Sequence, residues 1–444
     1  MNNEEIRLQL DGLLTADKRG ELRGALMMLN VVDIAEYMDE LESDKMLKVY
    51  RILPKDISAD VFAYMSDEQR QKLMLRIGDS ETAELLNDMY VDDAVDFLEE
   101  LPANLVRRLL VNVNDEQRKA INRFLDYPDN SAGSIMTPEF CDFHEGVTVA
   151  DAMQYLKEHS VDKETIYTLY ILDAGRKLIG TVPLRKLILA DGASRVEEIM
   201  NPSFVCAHTL DDQEAVAELV RKYDLISVPV VDKEGRMVGI VTADDVMDVI
   251  QDEATEDIEK MNALLPSEDE YMKTNPFTLA KNRLPWLLFM LVSSILTETI
   301  IQKFEAQLSI AFAACIPMLM GTGGNCGSQS STLAIRGLAL GELTPKDALK
   351  VLWKEFRVSL IVSVALAVLS FGIQAIVFGR TLLEAGTIAA AMICTVVLSK
   401  SIGCTLPLLA KRLKLDPAIM AAPLITTIVD VCSLLILVLF ASAV

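Results

Sequence analysis

One carboxylate stands alone in a long apolar run near the end of the chain. Asp430 lies within PLITTIVDVCSLL, residues 423–435. A charged side chain at membrane depth is costly unless it faces water, a cation or a partner. We therefore interpret Asp430 as a cation ligand that lines a pore. A buried ion pair with Lys400, or a polar contact between helices, is the alternative.

A glycine-rich run offers a second set of oxygen ligands. Residues 317–329 read PMLMGTGGNCGSQ, with four glycines around Asn325. We expect irregular backbone here, because carbonyl groups at membrane depth are tolerated where they line a cavity. Close helix packing through small residues is the alternative, and the glycines could serve both purposes. A carboxylate with carbonyl and amide oxygens suits Mg2+, a hard cation that keeps much of its water.

Two further charged residues fall within the apolar segments. Glu298 is the only other acid that we place inside them, and Lys400 is the basic one. We expect the two to form an interhelical pair or to lie near the wider mouth of a pore.

Acidic side chains also recur at helical spacing in the polar part of the chain. One such face falls on a helix predicted from residue 243 to about 264, and another on residues 92–100. Like charges at i+3 and i+4 repel, and divalent ions between two acidic faces would remove that repulsion. This pattern indicates a cation sensor, with a merely solvated face as the alternative. The acids concerned are Asp92, Asp93, Asp96, Glu99 and Glu100, and Asp245, Asp248, Asp252, Glu256 and Glu259.

Charge divides the 444 residues into two unlike parts. The chain has a formal net charge of -23, and 57 of its 65 acidic residues precede Lys281. Nucleic acid is an unsuitable partner for so acidic a region, because phosphate binding needs a basic face. The seven cysteines show no CxxC spacing and the three histidines are far apart, so the sequence predicts no zinc, copper or redox site.

The elements that must hold Asp430 and the glycine run are five apolar segments long enough to cross a bilayer as helices. Lysine and arginine are concentrated in the loops on one side, which predicts a cytoplasmic N-terminus and a C-terminus outside the inner (plasma) membrane. The segments are 284–302, 308–335, 358–378, 385–410 and 418–444.

Two internal repeats organise the acidic part. Residues 1–130 read as helices with a repeat shifted by 48 positions, which predicts stacked helical hairpins in a small superhelix. Residues 136–250 alternate strands and helices, and 177–182 (KLIGTV) matches 236–241 (RMVGIV). This second arrangement resembles a tandem pair of CBS domains. The resemblance implies that Thr242 and Asp245 could hold the ribose of ATP or another adenine nucleotide; empty or purely structural sites are equally compatible.

The order of these parts, with YPDNSAGSIMT at 127–137, GGNCGSQ at 323–329 and the Asp430 segment, resembles the MgtE family of magnesium channels. The resemblance covers nearly the whole chain. It implies a homodimer in the lipid bilayer, a pore lined by Asp430, and closure by Mg2+ bound among the cytosolic domains. Its implied sensor ligands are Asp60, Asp92, Asp96, Glu214, Asp224, Asp245, Asp248, Glu253, Glu256 and Asp257. Lys400 departs from the family pattern.

We thus expect a multidomain protein: an all-α superhelical domain, an α/β tandem CBS pair, a connecting helix and a five-helix transmembrane domain. The expected boundaries are 1–130, 131–250, 251–275 and 276–444. The expected function is Mg2+ uptake through a channel closed by Mg2+, with selectivity among divalent cations open, and not enzymatic catalysis. Two other classes remain: a membrane-anchored nucleotide sensor, and a secondary transporter coupled to H+ or Na+.

Overall fold

The structure is a computed structural model that describes residues 3–160, 163–266, 271, 274–304, 309–420 and 422–443. Leu308, Ala421 and Val444, which we include in predicted spans, lie outside the described residues. The chain forms two compact units, residues 1–250 and 251–444.

Within the described residues, ten short helices open the first unit and confirm the predicted all-α domain. Their apolar faces form one core, which includes Leu26, Met38, Phe62 and Leu98. Asn30 and Asn114 cap α3 and α10 by accepting a hydrogen bond from a backbone N–H in the first turn. The helices are α1 (Asn3–Thr15), α2 (Arg19–Leu26), α3 (Val31–Asp39), α4 (Ser43–Tyr50), α5 (Lys55–Ala63), α6 (Asp67–Ile77), α7 (Asp79–Asp88), α8 (Val91–Glu99), α9 (Ala103–Leu110) and α10 (Asp115–Phe124).

Two three-stranded sheets follow and confirm the predicted pair of α/β repeats. In each sheet the first strand is parallel to the second, and the second is antiparallel to the third. The elements are β1 (Asp142–His144), α11 (Val149–His159), β2 (Thr168–Leu172), β3 (Leu178–Pro183), α12 (Leu184–Leu189) and α13 (Val196–Ile199), then β4 (Ala207–His208), α14 (Gln213–Tyr223), β5 (Ser227–Val231) and β6 (Met237–Thr242).

The two repeats exchange their leading segments. Thr137 pairs with Ile240 of the second repeat, whereas Asn201 pairs with Thr181 of the first. Two glycines permit this exchange. A Cβ atom at Gly239 would lie 2.8 Å from the Met136 sulfur, and the matching Cβ at Gly180 would lie 2.5 Å from the Met200 sulfur. The segment that precedes each repeat therefore packs on the third strand of the other repeat.

A long acidic helix and five membrane-length helices complete the chain. The connecting helix α15 (Ala243–Met261) begins in the first unit and ends in the second. By length and composition, five stretches of the described chain could cross a membrane, as we predict. They are built from α16 (Pro276–Phe304), α17 (Ile310–Ala313) with α18 (Ile316–Ala339), α19 (Ala348–Gly372), α20 (Leu382–Arg412) and α21 (Ala422–Ala441).

One prediction about these spans is wrong. The glycine-rich run is not irregular backbone: residues 316–339 form one continuous helix, α18. Glycine costs about 1 kcal/mol relative to alanine in a helix interior. Here the glycines are offset by close packing, since Gly323, Gly324 and Gly327 are all buried against neighbouring helices. The alternative, close helix packing through small residues, is correct.

Candidate ion path and cytosolic cation sites

Asp430 lies on α21 beside the surface that packs on the glycines of α18. A Cβ atom at Gly323 would lie 2.8 Å from the Val429 side chain, and one at Gly327 would lie 2.6 Å from Ile425. Only glycine allows α21 to approach this closely. The glycine run therefore fixes the position of the helix that carries Asp430.

The Asp430 side chain is half-buried, and within the described residues its carboxylate has no hydrogen bond and no ion pair. The alternative of a buried pair with Lys400 is thus not what the structure shows. Asn325 is exposed, whereas Gly324 and Cys326 on either side of it are buried. In the part of the chain that the structure describes, no hydrogen bond joins Asn325 to Asp430.

Lys400 has a different partner from the one we expected. Its ammonium donates to the Ser330 hydroxyl at 3.2 Å and lies 3.8 Å from the Glu355 carboxylate, and Ser330 donates to Glu355 at 2.7 Å. Glu298 instead accepts from Gln302 within α16. The prediction of a Glu298–Lys400 pair is wrong because pairing depends on how helices are oriented, which spacing along the chain does not give.

In the first unit, the acidic face of α8 meets the start of α15. Asp92 and Asp93 lie close enough to Asp245 for their charges to interact, and Glu139 and Glu164 join the same group. Asp60 adds its charge to that of Asp93. We define these residues as the upper acidic cluster, together with Asp96, which interacts with Asp93 and Asp245. The structure thus brings together Asp60, Asp92, Asp96 and Asp245 of the predicted sensor.

Burial raises the pKa of every carboxyl group in the upper acidic cluster for which a shift is resolved. It raises the pKa of Asp93 to about 6 and, with the charges of Asp245 and Asp93, that of Glu164 to about 7. Asp96 is partly open to solvent. Desolvation by the neighbouring protein and the negative charge of Asp93 nevertheless raise its pKa to about 7. The Asp92 pKa is raised further, and its buried Oδ1 has no hydrogen-bond partner among the described residues. These groups would be stabilised by a cation.

Asp245 also forms hydrogen bonds that stabilise the beginning of α15. Its Oδ2 accepts hydrogen bonds from the Thr242 hydroxyl and, at 3.4 Å, from the Thr242 backbone N–H. This arrangement caps the helix. Thr242 is also buried. The two residues predicted to bind a ribose are therefore hydrogen-bonded to each other in this structure.

A second group of charges surrounds Lys260 near the end of α15, and we define it as the lower charged cluster. The Lys260 ammonium bonds Glu256 at 2.7 Å and Asp416 at 2.8 Å. Burial and the charge of Asp416 raise the pKa of Asp257, with Glu253 and Glu256 adding to the effect. Glu253, Glu256 and Asp257 of the predicted sensor thus share one site.

The remaining predicted ligands are more scattered. Asp248 is exposed on α15 and adds its charge to that of Asp245. Glu214 and Asp224 stand near opposite ends of α14, ten residues apart, or about 15 Å along a helix. One ion cannot bind both. Among the described residues, no three histidine, cysteine or acidic side chains are gathered tightly enough to hold a metal ion.

The family profile for MgtE, a divalent cation transporter, matches residues 316–440. Profiles for the MgtE intracellular N domain and the CBS domain match 29–130 and 196–252. The magnesium transporter MgtE of Thermus thermophilus is 36% identical over 98% of this chain and 97% of its own length. The chain belongs to the MgtE family. A magnesium transporter MgtE of Bacillus subtilis is 32% identical over 98% of this chain and 96% of its own.

Two solved structures extend the MgtE comparison to the acidic half. The soluble part of a magnesium transporter is 33% identical, with a TM-score of 0.55, and covers 57% of this chain and all of that one. The cytosolic domain of the Mg2+ channel MgtE in complex with ATP is 36% identical, with a TM-score of 0.52, and covers 55% of this chain and 99% of that one.

Sequence reasoning missed several charged residues of this MgtE protein. Glu139 and Glu164 lie on loops of the CBS pair, where no helical period marks them. Asp416 stands in a short loop between two spans. Glu355 lies inside α19, because that helix begins ten residues before the apolar segment that we used to define the span. Asp416 and Glu355 could have been suspected only from their partners Lys260 and Lys400, which are isolated basic residues in an acidic and an apolar run.

Proposed function

We propose that this protein carries Mg2+ across the membrane and that Mg2+ bound on the cytosolic side closes the path. The observation that carries the proposal is Asp430, a half-buried carboxylate in a membrane-length helix with no protein cation beside it among the described residues. Such a group is stable where a cation or water reaches it. The full-length likeness to proteins named magnesium transporters supports Mg2+ as the substrate.

In this proposal Asp430 attracts the ion and the glycine face of α18 sets where that carboxylate stands. Asn325 provides an amide oxygen to the water shell of the ion or to the ion itself. Mg2+ gives up its water reluctantly, so one carboxylate per chain suits a site that passes a largely hydrated ion. Other divalent cations accept the same oxygen ligands, so we propose that transport extends to some of them.

Two chains together would complete the path. We propose a homodimer with the pore between subunits, each contributing its Asp430. The concentration of lysine and arginine in alternate loops supports a cytoplasmic N-terminus and an external C-terminus, in a protein that we place in the plasma (inner) membrane. The expected domain boundaries at 130, 250 and 275 belong to the same proposal.

Closure would depend on the two charge groups along α15. The upper acidic cluster fits Mg2+ by its chemistry: its ligands are carboxylate oxygens, and the Asp92 Oδ1 is buried without a hydrogen-bond donor. Asp60, Asp92, Asp96 and Asp245 would bind there, with Asp248 next to them. Glu253, Glu256 and Asp257 would do so in the lower charged cluster, and Glu214 and Asp224 at separate places on the surface. A ligand shifts a conformational equilibrium only through its different affinity for the two states, so these sites must assemble best when the path is closed.

A nucleotide would be a further regulator. The relative whose cytosolic domain was solved with ATP supports a nucleotide site in this half of the chain. We place that site in the CBS pair, at Thr242 and Asp245. Because Asp245 also belongs to the upper acidic cluster, a bound nucleotide and Mg2+ would act on the same helix start.

The test is flux of Mg2+, Mn2+, Co2+ and Ni2+ through purified protein in liposomes, at low and high Mg2+ on the cytosolic side. We expect Mg2+ flux that falls at high cytosolic Mg2+. Absence of any cation flux would favour a membrane-anchored nucleotide sensor. Flux that depends on an imposed proton or sodium gradient would favour a coupled transporter.

A further inference from the structure

An ion pair is buried in the membrane-spanning unit, and the proposed transport step does not use it. Lys400 on α20 and Glu355 on α19 have side chains that are only 6% and 12% exposed. Ser330 on α18 lies between them and is bonded to both. Three helices are therefore joined by one positive and one negative charge that cancel each other.

This ion pair lies close to the contact between α18, α20 and α21. Gly327 of α18 approaches Gly403 of α20 so closely that a methyl group at position 403 would fall on the Gly327 carbonyl oxygen. Gly327 also faces Val429, the residue before Asp430. Ser330 follows Gly327 by three residues on the same face of α18, about 4.5 Å along the helix axis.

We propose that the Lys400–Glu355 pair sets how tightly the ion path holds its cation, by keeping the fixed charge near Asp430 balanced. The proposal rests on the proposed function, since it assigns the cation site to the Asp430 helix. A charge in a poorly solvated interior attracts or repels a cation several ångströms away, because little solvent screens the interaction. A residue that alters the balance therefore alters the attraction for a cation at the Asp430 site without touching it.

The charge-balance account predicts effects of opposite sign. Lys400→Met leaves Glu355 uncompensated, so the extra negative charge should lower the apparent KM for Mg2+ and slow release, reducing maximal flux. Glu355→Gln leaves Lys400 uncompensated, so the extra positive charge should raise KM. We expect shifts of about three- to tenfold in each direction, because one uncompensated unit charge in a partly screened interior changes the binding of a nearby cation by roughly that factor.

Two further variants separate charge from packing. The double variant Lys400→Met with Glu355→Gln removes both charges and should return KM to within about twofold of the parent. Lys411→Met is the matched control, because it removes the same charge from an exposed position on the same helix. Solvent screens that site, so its KM should equal that of the parent.

The experiment measures initial Mg2+ uptake against Mg2+ concentration in liposomes, for the full-length parent and each variant. Opposite KM shifts in the single variants, with recovery in the double variant, support the proposal. KM values that move in the same direction, or that do not move, overturn it and leave the pair as a packing element. If Lys400→Met does not fold, Glu355→Gln and the double variant decide alone: a raised KM that the double variant restores supports the proposal, and any other result overturns it. Failure of the proposed function is distinct, because the parent itself would then show no Mg2+ uptake.

Discussion

Single glycines decide how closely the membrane helices pack. Gly403 and Gly327 bring α20 and α18 into backbone contact, and Gly323 admits the side chains of Thr395 and Val429. Added volume in such a contact has no room, because interiors are packed as densely as organic crystals. The glycine run is thus a packing surface that positions Asp430.

Gly403→Ala should therefore destabilise the spanning unit by about 1–3 kcal/mol or more, because the new methyl group meets backbone and not a movable side chain. The measurement is the thermal stability of the purified protein in detergent, followed by tryptophan fluorescence or size-exclusion chromatography. Gly321→Ala is the matched control, since no atom of another helix lies within 4 Å of its added carbon. Equal loss of stability in the two variants would show that the contact does not matter.

At the scale of a residue, the sequence reveals a charged side chain in an apolar segment more readily than it reveals the partner of that side chain. Asp430 could be identified because a carboxylate interrupts an apolar run. The partner of Lys400 could not, because Glu355 precedes the apolar segment and only the packing of α19 on α20 brings it inside. The sequence also could not predict that the glycine run is helical, since composition does not show which helix a small residue packs against.

At the scale of an element, carboxylates that lie close together make the stability of the acidic half depend on pH. The raised pKa of Asp93, Asp96 and Glu164 means that the folded protein holds protons more tightly than the unfolded chain, whose carboxyl groups titrate near pH 4. The stability that these three groups contribute should be complete below about pH 4, be lost as pH rises to about 7, and stay constant above that.

We accordingly expect the unfolding temperature of the cytosolic half to drop by a few degrees between pH 5 and pH 7.5 in a chelator at constant ionic strength. A variant with Asp93→Asn and Asp96→Asn should show a flatter profile, because amides do not titrate in this range. Circular dichroism of the full-length protein in detergent gives the measurement. An unfolding temperature that rises with pH in the parent would contradict the account.

The connecting helix should affect closure more than conduction. Asp245→Asn, Asp248→Asn and Glu256→Gln together remove charges from both clusters, while the amide at 245 can still accept the hydrogen bonds of Thr242. At high cytosolic Mg2+ the triple variant should keep conducting where the parent is closed, because it lacks ligands for the closed arrangement. Liposome flux at high cytosolic Mg2+ measures this.

A charge-matched control separates ligand loss from a general change in charge. Asp33, Glu116 and Glu158 are exposed acids on α3, α10 and α11. Changing them to Asn, Gln and Gln also removes three negative charges, and this variant should close like the parent. Inhibition of the connecting-helix variant identical to that of the parent would mean that α15 is only a solvated linker.

At the scale of the molecule, the internal repeats and the apolar segments predict the architecture well. The CBS repeat can be recognised because each copy carries the same strand pair, and the five spans because each is long enough to cross the apolar core of a bilayer as a helix. Contacts between elements from distant parts of the chain were not visible. The meeting of α8 with Glu139, Glu164 and the start of α15 depends on how the helical domain packs on the CBS pair within the first unit, and no sequence period encodes that.

The central claim is that Asp430 binds the transported ion. Mg2+ uptake by liposomes that contain the parent or Asp430→Asn tests it most directly, since the amide keeps the shape of the side chain and removes its charge. Glu298→Gln is the control, an exposed acid on another span whose loss should leave uptake unchanged. The account predicts that Asp430→Asn folds like the parent and reduces Mg2+ uptake to the level of protein-free liposomes. A folded Asp430→Asn protein that takes up Mg2+ as fast as the parent would contradict it.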